Sequence, residues 1–216
     1  MGIGTAVRHR LGRFEIPAAN AYRAVFINLH VLAERIAAAV PAKRILEVGC
    51  GDGSLATQLL RVYPEAEYTG IDVAPTAGRL FRGDPDRARF QTMAVQDLAA
   101  TRPEPYDLVL LVDVVHHVPV GHRDEVLRSS ADLVRPGGFL MVKEFERNAG
   151  PYYWLTYAAD RYVTGDKGVS FLTLPEVGAM VGSLAGFDGV VVSRIPPAHN
   201  NVLFALRRQN WSFSNM

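Results

Sequence analysis

A second cysteine is missing from this chain of 216 residues: Cys50 stands alone, which excludes an intrachain disulfide and any metal site built from paired cysteines. Also missing is an uninterrupted apolar run approaching the ~18 residues that a membrane helix needs. The first residues lack the apolar core of a secretory signal. These absences lead to the expectation of a soluble protein in a reducing cytoplasm. Neither sign of charge is in excess, since 23 Lys and Arg against 22 Asp and Glu leave a net charge of +1. That balance offers no bulk attraction to nucleic acid, which is not expected as a partner. Only "RHRLGR", Arg8 to Arg13, is locally basic. It reads either as a solvated arm or as a grip on an anionic substrate or headgroup.

A hydrophobic content of 49% is enough for a substantial core, and the length fits one domain. Ala21, Val25, Leu29, Leu32 and Ile36 recur at helical spacing, predicting one long amphipathic helix that ends before Pro41. From there the pattern alternates. "RILEVG", "EYTGIDV", "RARFQTMAV", "YDLVLLVDVV" and "GFLMVKEFE" read as strands, with "SLATQLLRVY" and "HRDEVLRSSADLV" as helices among them. Near-continuously apolar strands bracketed by helices predict a parallel sheet covered on both faces. In the last third, "YYWLTYAADRYV" and "TLPEVGAMVGSLAG" read as helices. "FDGVVVSRI" and "NNVLFALRR", joined through "PPAHN", read as an antiparallel pair at one sheet edge.

The turn after the first strand, "LEVGCGDGS", carries glycines at 49, 51 and 53. Glycines at a strand-to-helix turn let a ligand reach backbone amides at the carboxyl ends of the strands. A dinucleotide fingerprint wants its third glycine or alanine where this chain has Ser54, and a phosphate loop wants a lysine that does not follow. Neither NAD nor a nucleoside triphosphate is the expected ligand.

"LEVGCGDG" resembles the first motif of the class I S-adenosylmethionine-dependent methyltransferases, with Glu47 two positions before the glycine series. The resemblance continues in "YTGIDVAP", "YDLVLLVDVVHHV" and "LVRPGGFLMVKE", in order, over residues 40 to 146. It implies a Rossmann-like, doubly wound α/β sheet of seven strands in order 3-2-1-4-5-7-6, the seventh antiparallel. The whole chain, 1–216, is then one methyltransferase domain. Residues 1–40 form an arm and helix of the substrate cap, 41–146 the cofactor core, and 147–216 cap helices and the last two strands.

The implied cofactor is S-adenosyl-L-methionine, leaving as S-adenosyl-L-homocysteine. Glu47, Gly49, Cys50, Gly51 and Gly53 would surround it, with Glu47 accepting from loop amides or the ligand ammonium. A Cβ at Gly49 or Gly51 would intrude. The two carboxylate oxygens of Asp72 suit the ribose hydroxyls. Many relatives carry an acidic residue for the adenine amino group where this chain has Ala94, so adenine would rest on Val73, the Val95 backbone, and Gln96 or Asp97. Asp113 would sit beside the methionine ammonium, with His116 or His117, the latter favoured, as general base, since imidazole takes up a proton near neutral pH. No metal is required, because Asp113 alone does not make the paired acidic site of the magnesium-dependent members.

Lys143 and Glu144 are expected on one crevice rim, as an exposed salt bridge or as substrate-orienting groups. Tyr22, Tyr153, Trp154 and Tyr157 would line an aromatic acceptor pocket, or else pack as core. The acceptor implied is a small apolar or aromatic metabolite, methylated at oxygen first, with nitrogen or carbon as alternatives. The resemblance is to quinone-biosynthesis and natural-product enzymes, and a homodimer is compatible with it. A repurposed, non-catalytic cofactor-binding protein is the second reading. A nucleic-acid or protein methyltransferase is the third, disfavoured because an Asn/Asp-Pro-Pro-Tyr motif and a basic face are missing.

Overall fold

The computed structural model describes residues 27–147, 150, 153–154, 169–196 and 200–210. Its elements run α1 (Leu29–Ala39), β1 (Arg44–Val48), α2 (Ser54–Val62), β2 (Glu67–Asp72), β3 (Ala88–Thr92), α3 (Val95–Ala100) and β4 (Tyr106–Val112). They continue with α4 (Arg123–Asp132), β5 (Val134–Phe145), α5 (Leu174–Gly182), β6 (Phe187–Arg194) and β7 (Asn201–Arg208). Seven strands form one sheet in the order β3-β2-β1-β4-β5-β7-β6. β1 to β5 pair in parallel, and β7 runs antiparallel to both β5 and β6. The terminal pair is antiparallel as expected, with β6 at the edge.

Alternation along the central strands divides the core in two. Leu108 and Leu110 of β4 face the same side as Met141 of β5, packing with Leu32 and Ile36 of α1 and Leu55 and Leu59 of α2. Val109 and Leu111 face the other way with Leu140 and Val142, against Leu98 of α3, Leu127 of α4 and Val177 of α5. A strand buried on both faces needs no polar alternation, which is why β4 reads as a continuous apolar run.

The first helix is shorter than its apolar periodicity predicts. Asn28 ends it on the amino side: its side chain accepts from the amides of His30 and Val31, each at 3.1 Å, and Ile27 already lies in a β-bridge. A capping asparagine competes with helix continuation, and here it overrides the spacing. Ala21 and Val25, the basic cluster from Arg8 to Arg13, Tyr22 and Tyr157 lie outside the described residues. Of the expected aromatic helix, Tyr153 and Trp154 are described, both helical. No helix among the described residues is long and apolar enough to cross a membrane.

Candidate active site

The carboxyl ends of β1, β2, β4 and β5 gather the predicted residues around two adjoining cavities. The larger, about 460 Å³, is lined by Val48, Asp72, Val73, Met93, Val95 and Gln96, among others. The second, about 240 Å³, is lined by Glu47, Cys50, Gly51, His116, Lys143 and Phe171, among others. Gly49, Asp113 and His117 belong to both walls, so the cavities meet there.

The glycine turn is built by β1 and β2 together. The amides of Gly49 and Cys50 donate to Ile71 O at 2.8 and 3.0 Å, and that of Gly51 to Asp72 Oδ2 at 2.8 Å. Asp72 Oδ1 accepts from the Ala74 amide at 2.7 Å. The expected role of Glu47 toward the loop amides is therefore taken by Ile71 and Asp72. Glu47, 3% exposed, instead accepts from the Tyr68 hydroxyl at 2.5 Å. Burial pushes the Glu47 carboxyl up to about 8 against the opposing Tyr68 hydrogen bond, with Asp52 and Asp72 adding to the rise. Burial and the same carboxylates also push the Cys50 thiol well up, so it is a packing group here and not a nucleophile.

The three glycines differ in what they do. A Cβ on Gly49 would come within 2.6 Å of Val114 Cγ2, so the obstacle there is protein and not ligand. A Cβ on Gly51 would meet nothing within 4 Å, and its φ of +53° strains any other residue. Gly53 lines neither cavity; its Cβ would meet the Gly78 backbone at 2.9 Å and the Phe90 ring at 3.1 Å, a packing role in place of the expected ligand contact.

Lys143 and Glu144 do not share a rim. The pleat sends adjacent strand residues to opposite faces, and both are buried, at 1% and 2% exposure. Lys143 Nζ donates to both oxygens of Asp113, at 2.7 and 2.6 Å. Glu144 Oε2 lies 2.5 Å from His116 Nδ1, and its Oε1 accepts from the amides of Val114 and Val115 at 3.1 and 2.7 Å. Burial raises the Glu144 carboxyl, but His116, the Val115 amide and Lys143 outweigh it and hold the group below its ordinary range.

His116 is 2% exposed and stacks on Phe171 at 4.6 Å, whereas His117 is exposed on the rim, its ring 4.1 Å from that of His116. Asp113, His116 and Glu144 present ligand atoms within 4.8 Å of one another, so Asp113 does not stand alone as expected. A divalent cation on Asp113 would nevertheless abut the Lys143 ammonium, and the cluster reads as an Asp113–Lys143 ion pair beside a hydrogen-bonded His116–Glu144 pair.

The segment that brings Phe171 to His116 is pinned by backbone bonds. Ser170 N donates to His116 O at 2.9 Å, while the buried Arg123 donates to Val118 O at 3.0 Å and Ser170 O at 2.8 Å. Phe171, Phe145 and Asn201 line the smaller cavity and were not read from the sequence. Tyr153 packs against Phe171, with ring centroids 5.8 Å apart, and Trp154 packs edge-on to Tyr153 and is 61% exposed. Neither lines a cavity described here, and neither does Asp97, offered as an adenine contact.

A protein-family profile described as "Methyltransferase domain" matches residues 46–140, which hold the glycine turn, Asp72, Asp113 and both histidines. Those residues match a methyltransferase domain, and the sheet has the strand order expected of the class I S-adenosylmethionine-dependent methyltransferases. The ubiquinone biosynthesis O-methyltransferase of Chromobacterium violaceum is 32% identical over 147 residues, 65% of this chain and 58% of that protein. The chain thus spans just over half the length of that relative. Among solved structures, TnmH matches at 28% identity and a TM-score of 0.67, over 94% of this chain and 60% of TnmH. A Burkholderia thailandensis 1,6-didemethyltoxoflavin-N1-methyltransferase, determined with 1,6-didemethyltoxoflavin and S-adenosylhomocysteine bound, matches at 17% identity and a TM-score of 0.64. That match covers 95% of this chain and 88% of that one, and it bears on the methyltransferase fold.

Proposed function

We propose that this methyltransferase domain transfers a methyl group from S-adenosylmethionine to a hydroxyl of a small, aromatic or otherwise largely apolar molecule. The observation that carries the reading is the meeting of two cavities at Gly49, Asp113 and His117, with His116, backed by Glu144, in the wall of one. The larger cavity fits the adenosyl part. Val73 is 77% exposed at its edge, as a residue awaiting cover by a flat base would be. Val95 and Gln96 line it from the start of α3, which has no side-chain cap. Each Asp72 oxygen, after accepting one amide, keeps a lone pair for a ribose hydroxyl. Residue 94 is alanine, so adenine would be held by packing and backbone.

S-adenosylmethionine supplies a sulfonium-activated methyl group when bound. The residues of this chain then align the acceptor, exclude water and take its proton. His116 is the better base of the two histidines, because Glu144 fixes its ring and tautomer as an oriented carboxylate does in other acid–base pairs. Ile27, Leu29, Leu55, Phe145 and Phe171 give the smaller cavity the apolar walls that an aromatic acceptor needs.

Incubation with methyl-labelled S-adenosylmethionine and fractionated cell extract should label small molecules and leave RNA and protein unlabelled. Label in macromolecules alone, or none with cofactor bound, overturns the reading.

Glu47 makes cofactor binding depend on pH. With a carboxyl raised to about 8, the free protein holds its proton at neutrality, and an ammonium arriving beside it favours ionisation. S-adenosylhomocysteine binding should release up to about one proton at pH 7, with affinity rising as much as tenfold per pH unit until pH 8. Calorimetry in buffers of different ionisation enthalpy measures the release, and Glu47→Gln should abolish it. The ligand-free protein shows the opposite trend. Because the folded state keeps this proton to higher pH than the unfolded, the contribution of Glu47 to stability is full below the ordinary carboxylate range and is lost as pH rises through about 8.

A further inference from the structure

The floor of the smaller cavity is more polar than an apolar acceptor requires. On the sheet face shared with α1 and α2, Glu47 near the end of β1, Lys143 on β5 and Asn201 at the start of β7 are 3%, 1% and 0% exposed. Lys143 is the single lysine or arginine among the described residues of that lining. Burying an ammonium is costly, and a long apolar residue would fill the same space without that cost.

Its partner is unusual as well. Asp113 has a φ of +56°, a left-handed conformation that a residue with a Cβ adopts at the expense of strain. The strained turn brings both Asp113 oxygens onto Lys143 Nζ. An ammonium has three protons. Two serve Asp113, and the third has no partner among the described residues, although the group borders a cavity.

We propose that Lys143, held in place by Asp113, receives the acceptor as an oxyanion, so that the acceptor's methylated group is an acidic hydroxyl of the phenol or enol class. The inference rests on the methyl-transfer reading and narrows its substrate.

Besides Lys143, the charged and titratable groups facing the same cavity are Glu47 from β1, Asp52 and the Cys50 thiol, kept neutral by burial, from the glycine turn, and Asp113, His116 and His117 from the turn after β4. Glu47 holds its proton near neutrality in the free protein and, once ionised, is offset by the cofactor ammonium beside it; Asp113 is neutralised by Lys143 itself, and Asp52 accepts from the Ser54 amide. An incoming oxyanion therefore meets the ammonium at short range and little opposing charge. The acceptor proton passes to the imidazole of His116. The oxygen lone pair then forms the O–C bond as the C–S bond breaks, sulfur keeps the bonding pair and leaves as a neutral thioether, and the imidazolium returns its proton to water.

The test uses the full chain saturated with S-adenosylhomocysteine and 4-nitrophenol as the probe, whose ionised form absorbs visible light. Titration of the bound probe should show an ionisation constant raised tenfold or more over the free phenol. Lys143→Arg should keep most of the increase, and Lys143→Met should remove it. Lys143→Met strands the Asp113 charge, so Lys143→Met with Asp113→Asn is measured beside it, each variant first checked for S-adenosylhomocysteine affinity. The inference is overturned if the probe ionises as it does in water, if the shift survives in the double variant, or if the probe stays unbound at millimolar concentration while S-adenosylhomocysteine binds. Failure of S-adenosylhomocysteine itself to bind removes the methyl-transfer reading and this inference with it.

Discussion

His116→Ala should slow methyl transfer by roughly a hundredfold to ten-thousandfold, the usual contribution of a positioned acid–base group, while S-adenosylhomocysteine affinity barely moves. The expectation follows from the ring at 2% exposure in the wall of the smaller cavity, paired with the Glu144 carboxylate at 2.5 Å. Glu144→Gln tests the second half of the pair. It keeps an oxygen for the amides of Val114 and Val115 but removes the charge that stabilises an imidazolium, so the rate should fall by less than with His116→Ala. His116→Ala leaves Glu144 buried without its partner, and His116→Gln is the companion variant that retains a polar contact. Single-turnover transfer of labelled methyl, with folding followed by circular dichroism, separates chemistry from stability. A larger loss in His117→Ala than in His116→Ala would move the base to the exposed ring; small losses in both would leave alignment and desolvation as the sources of rate.

The strand order was legible through the resemblance of four motifs, in order, to the class I methyltransferases, and β1, β2 and β4 each carry a glycine or acidic residue at the carboxyl end. Those ends are where Glu47, Asp72 and Asp113 fall. The pairings across the sheet were not legible. Lys143 and Glu144 are adjacent in sequence, and adjacency suggested one rim; the pleat places them on opposite faces, where each finds a different partner from the turn after β4. Alternation along "LMVKEF" could have signalled this, since Met141 and Val142 already diverge to the two cores. Phe171 had no such signal. It reaches His116 through a backbone bond between Ser170 and His116, residues far apart in the chain, and through a buried arginine that binds two carbonyls. Contacts made by irregular backbone leave no periodicity to read. The early end of α1 was visible in principle, since an asparagine before a helical run is a capping residue, but the apolar spacing on either side masked it.

Asp72→Ala should weaken S-adenosylhomocysteine by about thirtyfold or more, since losing hydrogen bonds to a charged carboxylate costs about 2 kcal/mol or more, at 1.4 kcal/mol per tenfold in affinity. The loss has two origins in this structure. One is direct, through the ribose hydroxyls that the proposed function assigns to the free lone pairs. The other acts through the turn, because Asp72 ties Gly51 of the β1 loop to Ala74 of the β2 loop by bonds of 2.8 and 2.7 Å. Asp72→Asn separates them: its amide group can satisfy one of the two backbone donors but presents N–H to the other, so the turn loosens even where a ribose contact survives. Gly51→Val approaches the same turn from the cavity side. Its side chain would enter open space that belongs to the lining, at a φ of +53° that a β-branched residue resists. Calorimetry should find no S-adenosylhomocysteine binding in Gly51→Val with the circular dichroism of the parent retained, because nothing in the protein stands within 4 Å of the added Cβ. Unchanged affinity in both Asp72→Ala and Gly51→Val would show that the cofactor lies elsewhere than the turn between β1 and α2.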